Sequence, residues 1–217
     1  MRIGGGEMHC YTILLLVCAA ICLLAFAVLA IRLVAMGKPK DLSQKGGSVT
    51  KGVIYSSIPA MMPQNKESAY MHLPTYAAGI LYHIGTLMML LYFMLYVVSL
   101  FVTVSLPQIV NTILVALILL SALCGIGMVL KRIFNRDLRA LSIPDDYISN
   151  ILTTAAQIAT VLLILGLKCS EVTYCIMLSL LFLWLPVGKT KHLLYFFFAR
   201  FHLGYFYGWR GSWPVKN

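Results

Sequence analysis

No aspartate, glutamate, lysine or arginine interrupts the chain between Tyr76 and Ser105. Inside a bilayer no water satisfies the amides of such a run, so it must be helical. A hydrocarbon core about 30 Å thick takes about 20 residues per crossing. Apolar runs also lie at Tyr11–Leu33, at Ile109–Leu130, on to Leu167, and from Val172. Of 217 residues 60% are hydrophobic and 11% charged, too apolar for a soluble domain of this size. The sequence therefore predicts an all-α polytopic membrane protein, a single membrane domain over 1–217. Five transmembrane helices are expected at 11–33, 76–105, 109–130, 147–167 and 172–194, followed by an aromatic tail at 195–217. The first run is too long for a signal-peptide core and follows one basic residue, Arg2, so it is read as a retained span.

The 17 Lys and Arg residues fall one at the N-terminus, six in the first loop and none in the second; four lie in the third loop, one in the fourth and five from Lys189 onward. Fifteen thus lie on one side. The positive-inside rule places the N-terminus outside and the C-terminus inside a cell's inner (plasma) membrane. The net charge of +10 reads as this loop bias, and no nucleic-acid partner is expected. The first loop, about forty residues with Gly46, Gly47 and the Pro-rich Ile58–Pro63, is long enough to fold against a partner. Of six cysteines, none forms a C-x-x-C pair, so zinc and iron–sulfur ligation lack their usual spacing. Cys18 and Cys22 read as small residues of a packed helix, while Cys169 and Cys175 flank a turn that a disulfide could close.

His83 lies inside the second apolar run, where an imidazole is costly unless compensated. A haem iron compensates it if another helix supplies a second histidine, and His192 closes the last run. His83 precedes Ser105 by 22 residues and His192 follows Val172 by 20, about 33 and 30 Å of helix, so the two match in depth. Gly79 and Gly85 flank His83 and would let a flat macrocycle approach the backbone. Lys189, Lys191 and Arg200 could meet propionates, or simply mark the inner surface. His72 and His202 form an outlying pair about 15 Å nearer the cytoplasm. They read as ligands of a second haem, as interfacial histidines, or as proton-exchange groups at an inner quinone pocket. The ten aromatics of Tyr195–Trp213 suit a membrane interface or the roof of a haem or quinone pocket.

Leu81-Tyr82-His83-Ile84-Gly85 resembles the second-helix motif of the respiratory nitrate reductase gamma subunit, a membrane cytochrome b. The stretch from Lys131-Arg132-Ile133-Phe134-Asn135-Arg136 to Asp145 resembles that family's basic loop, and Leu183–Pro186 through His192 resembles the close of its fifth helix. The tail, Arg200 to Pro214, is more similar to cytochrome b subunits of heterodisulfide-reductase-like and sulfite-reduction-associated complexes. The resemblance implies haem b held by His83 and His192, quinol or quinone chemistry, and a cytoplasmic iron–sulfur subunit within a larger membrane redox complex. The family's outer haem needs two further histidines, and those positions here are Phe93 and Tyr174, so one haem is expected unless His72 and His202 hold a second. The expected role is an electron-transfer subunit that is not catalytic alone. A haemless anchor tethering a cytoplasmic redox complex is the alternative. A transporter would need charges inside the spans, and they hold almost none.

Overall fold

A computed structural model describes residues 2–3, 9–37, 41–66, 69 and 71–215; Lys38 and Lys40 of the first basic loop and the last two residues of the tail lie outside the described residues. In chain order the helices are α1 (Cys10–Ala35), α2 (Val49–Ser57), α3 (Leu73–Ser99), α4 (Gln108–Phe134), α5 (Arg136–Ala140), α6 (Pro144–Ile164), α7 (Ser170–Trp184) and α8 (His192–Trp209). Strands β1 (Arg2–Ile3) and β2 (Val104–Ser105) pair antiparallel, Arg2 opposite Ser105. The fold is all-α, as expected. Among the described residues, helices α1, α3, α4 and α6 are each long and apolar enough to cross a membrane, and a fifth is added if α7 and Lys189–Trp209 count as one interrupted span.

Local chemistry explains most boundaries. Helix α3 stops at Ser99, short of the expected Ser105, because the β-branched run after Phe101 leads into the ladder with β1. Pro107 precedes α4, and Lys131 and Arg132 occupy its last turn, where the helix dipole favours cations. Asn135 ends α4 and caps α5, its side-chain oxygen accepting the Leu138 N–H at 3.0 Å. Pro144 opens α6 with Asp145 and Asp146 in the first turn.

The fifth span departs from expectation. A continuous helix over 172–194 is not formed; α7 ends at Trp184, about 22 Å long and too short for the hydrocarbon core. Pro186 has no N–H to continue the ladder. A turn follows instead, with Val187 and Gly188 N–H both bonded to Trp184 O at 3.0 and 2.9 Å. Asp145 fixes the turn by accepting the Lys189 N–H at 2.9 Å, and the Trp184 indole donates to Ser149 Oγ at 2.9 Å. Gly188 leaves the room required, since a Cβ there would lie 3.0 Å from Asp145 and closer still to Trp184.

The chain forms two compact units, Met1–Leu23 with Ala77–Lys189, and Leu24–Tyr76 with Thr190–Asn217. In the first, α4 and α7 pack on α6, whose buried face reads Thr153, Thr154, Ala156, Gln157, Ala159 and Thr160. Leu15, Met89, Tyr92, Ile118, Tyr174 and Leu178 fill the rest of that core. Cys18 and Cys22 are buried in α1 as packing residues, and Cys169 and Cys175 are free thiols, so no disulfide closes that turn.

In the second unit, α2 lies directly on α8. A Cβ on Gly52 would collide with Gly204 O and come within 2.5 Å of Gly208 Cα. Gly204-x-x-x-Gly208 thus serves as a small-residue seat for another helix. The Gly46 and Gly47 N–H groups donate to Trp209 O at 2.8 and 3.1 Å. The Trp209 indole donates to Ser43 O at 3.0 Å, and Arg210 pairs with Asp41 at 2.6 Å. Residues of the first loop therefore fold on the aromatic tail of their own chain.

Candidate functional site

His83 sits mid-helix in α3, exposed at the surface of the first unit. Its Nδ1 lies 2.6 Å from Gly79 O, one turn back. A carbonyl oxygen only accepts, so Nδ1–H donates this bond. A ring oriented in this way by a backbone carbonyl can offer Nε2 to a metal when it is neutral. Gly79 leaves its side of the helix open, since a Cβ there would meet nothing within 4 Å.

Gly85 faces a neighbouring helix. A Cβ there would run into the Ser121 side chain of α4, so Gly85 is consumed by helix packing. Tyr82 points into the core, its hydroxyl donating to Asn150 O at 3.1 Å and lying 3.0 Å from Thr154 Oγ1. Lys189 is likewise engaged, with Nζ on Asp146 Oδ1 at 2.7 Å.

The other candidates belong to the second unit. His192 is exposed and opens α8. Because α7 ends eight residues before it, counting residues along one helix does not measure its depth. His72 is exposed just before α3. His202 is half-buried, stacked on Phe198 at 6.5 Å and edge-on to Phe201 at 5.6 Å. It lines a groove of about 670 Å³ with Ala199, Leu203, Phe206, Arg210 and Asp41. The Arg200 guanidinium lies 5.6 Å from the Phe196 ring centre. Asp41, beside Arg210, titrates below the usual carboxylate range, chiefly because the Ser43 hydroxyl and N–H bond to it.

Phe93 and Tyr174 are buried in an aromatic cluster. Phe93 meets Phe182 at 4.8 Å, and Tyr174 meets Tyr92 and Tyr96 at 6.4 and 5.2 Å.

Sequence reasoning missed the polar seam of the first unit. Gln157 donates to Thr86 Oγ1 at 2.9 Å, and Ser121 Oγ donates to Tyr82 O at 3.0 Å. At the far end of α3 the Tyr96 hydroxyl donates to Glu171 at 2.9 Å. The signal was Thr153-Thr154-Ala155-Ala156-Gln157, a small and polar stripe inside an apolar run. Comparison with known proteins gives no match to a family model, a curated protein or a solved structure.

Proposed function

We propose that this chain is the membrane cytochrome b subunit of a respiratory oxidoreductase complex, passing electrons between a quinone pool and a cytoplasmic iron–sulfur subunit. The observation that carries the reading is the His83 hydrogen bond. Nδ1–H is held by Gly79 O, which orients the ring and raises the basicity of Nε2. His83 and His192 are the residues that would hold haem b. Bound haem supplies one-electron chemistry, whose potential the ligands and their hydrogen bonds tune.

The remaining residues bind and orient. Open space beside Gly79 suits a flat ring system, while Gly85 holds α3 against α4. Arg200 and Lys191 are the cations left to meet propionates, because Lys189 is committed to Asp146. His202 and the rings along its groove suit a quinone headgroup better than a second iron. The basic loops favour the C-terminus inside an inner membrane, where an iron–sulfur partner would dock.

A haemless anchor is the second reading. It is favoured by the packing of Gly85 on Ser121 and by the end of α7 before His192. A reduced-minus-oxidised optical spectrum of the purified chain separates the two. A b-type signal that His83→Ala removes supports the carrier; a flat difference spectrum supports the anchor.

A further inference from the structure

Two arginines in the segment between α4 and α6 are left without an acidic partner. Arg132 and Lys189 share Asp146, at 3.6 and 2.7 Å. Arg136 and Arg139 are exposed, and among the described residues no carboxylate lies within ion-pair distance of either. Beside them Phe134 and Leu141 are 80 and 81% exposed. A short segment that shows bare guanidinium and bare apolar side chains together suits a membrane interface, where the charges reach water and the apolar groups reach hydrocarbon.

The same two helices form a groove of about 240 Å³, walled by Ile126, Val129 and Leu130 of α4 and by Ile151, Ala155 and Ile158 of α6. Residues 135–143 join α4 to α6 and so cross one end of the seam between them. Arg132 Nη1 donates to Ser142 Oγ at 2.9 Å, which ties that segment to the end of α4. Asn150 also lines the groove. Its Oδ1 accepts from Thr154 Oγ1 and its backbone O from Tyr82, whereas among the described residues nothing accepts from its amide N–H groups. From Pro144, the first residue of α6, to Asn150 is about 9 Å of helix rise. The headgroup layer is about 5–7 Å deep on each face of a bilayer, so this amide lies just past it, at the depth of lipid ester carbonyls. Ile158 lies about 12 Å deeper still.

We propose that this corner of the first unit binds one anionic phospholipid of the leaflet that faces the basic loops. Arg136 and Arg139 meet its phosphate, the Asn150 amide donates to an ester carbonyl, and an acyl chain lies along the groove. Cations, amide donor and apolar walls thus follow one another in the order in which a phospholipid carries phosphate, ester and hydrocarbon. A helix of a second copy fits less well. Its carbonyls are spent on its own hydrogen bonds, and it brings no negative charge to the arginines. The inference needs only that these helices span a bilayer, and it uses none of the proposed haem ligands.

The test is native mass spectrometry of the purified, delipidated full-length chain, titrated in detergent with dioleoyl phosphatidylglycerol and separately with dioleoyl phosphatidylcholine. The wild-type chain retains one phosphatidylglycerol in preference to phosphatidylcholine. A cation near the surface strengthens attraction to anionic lipid by about fivefold, so Arg136→Gln with Arg139→Gln should weaken retention roughly 25-fold. Lys45→Gln with Lys51→Gln removes the same charge from exposed positions of the second unit and should leave retention unchanged. Ala155→Phe keeps every charge and fills the groove, so it too should weaken retention, with far-UV circular dichroism as the check that it folds. Equal retention of the two lipids, the same loss from the lysine pair as from the arginine pair, or full retention in Ala155→Phe would each overturn the proposal. So would displacement of the lipid by inorganic phosphate, which would leave only an anion site, or a dimer that Ala155→Phe dissociates, which would give the groove to a second copy.

Discussion

The two units solve the same problem, holding apolar helices together, by opposite means. The first interleaves large side chains and ties them with hydroxyl and amide bonds: Tyr82 to α6, Ser121 to Tyr82 O, Gln157 to Thr86. The second removes side chains, so that α2 and α8 touch backbone to backbone at Gly52, Gly204 and Gly208. Where neighbouring surfaces are equally apolar, burial alone gives helices little preference for one another, and either specific hydrogen bonds or close shape must supply it. The two solutions differ in what breaks them. In the first unit an added Cβ at Gly85 meets a side chain, that of Ser121; in the second an added Cβ at Gly52 meets backbone, which has less freedom to move aside.

The largest effect is therefore expected at Gly52→Leu, which puts a branched side chain where even a Cβ collides. Overpacking of this kind costs about 3 kcal/mol. Amide hydrogen exchange should show protection lost over α2 and retained over α6; loss in both helices would contradict the independence of the two cores. Next is Gly85→Ala, which meets Ser121 and should cost roughly 2 kcal/mol by the same mechanism. Tyr82→Phe removes a hydroxyl with partners at 3.0 and 3.1 Å and should cost on the order of 1 kcal/mol, read as a fall in the denaturation midpoint of the first unit. Gly79→Ala reverses the sign. Its Cβ meets nothing, so replacing a mid-helix glycine should stabilise by about 0.5–1 kcal/mol. The same variant should weaken haem retention if the macrocycle lies over that face, so stability and haem content move in opposite directions.

The smallest effect concerns pH. Ser43 and then Arg210 favour ionised Asp41, so its carboxyl titrates below the ordinary value when folded. A depressed carboxylate contributes stability fully above its unfolded pKa of about 3.9 and loses it as pH falls through the folded value. Tryptophan emission, which includes Trp209 bonded to Ser43 O, should hold steady down to about pH 4 and shift below it. Asp41→Asn should remove that acid step.

The helical class and the starts of four long helices were legible because apolar length and caps are local signals. Pro144 with two aspartates after it is such a signal, and it opens α6. Pro186 and Gly188 were also local signals, but reading the fifth run through them hid the end of α7. The α2–α8 contact was not legible, since Gly52 and Gly204 are distant in sequence and each alone reads as a loop or tail glycine. Gly79 and Gly85 show the limit at the candidate site. Both flank His83, and only the packing of α4 distinguishes the open one from the filled one. The Nδ1–H donation of His83 needed coordinates, because it follows from a 2.6 Å approach to Gly79 O.

The most direct measurement of the central claim is haem per chain in the purified protein and its histidine variants. The account predicts one b-type haem per chain, lost in His83→Ala and in His192→Ala and kept in His72→Ala and His202→Ala. A haem-free wild-type chain, or full haem content in His83→Ala, would contradict it.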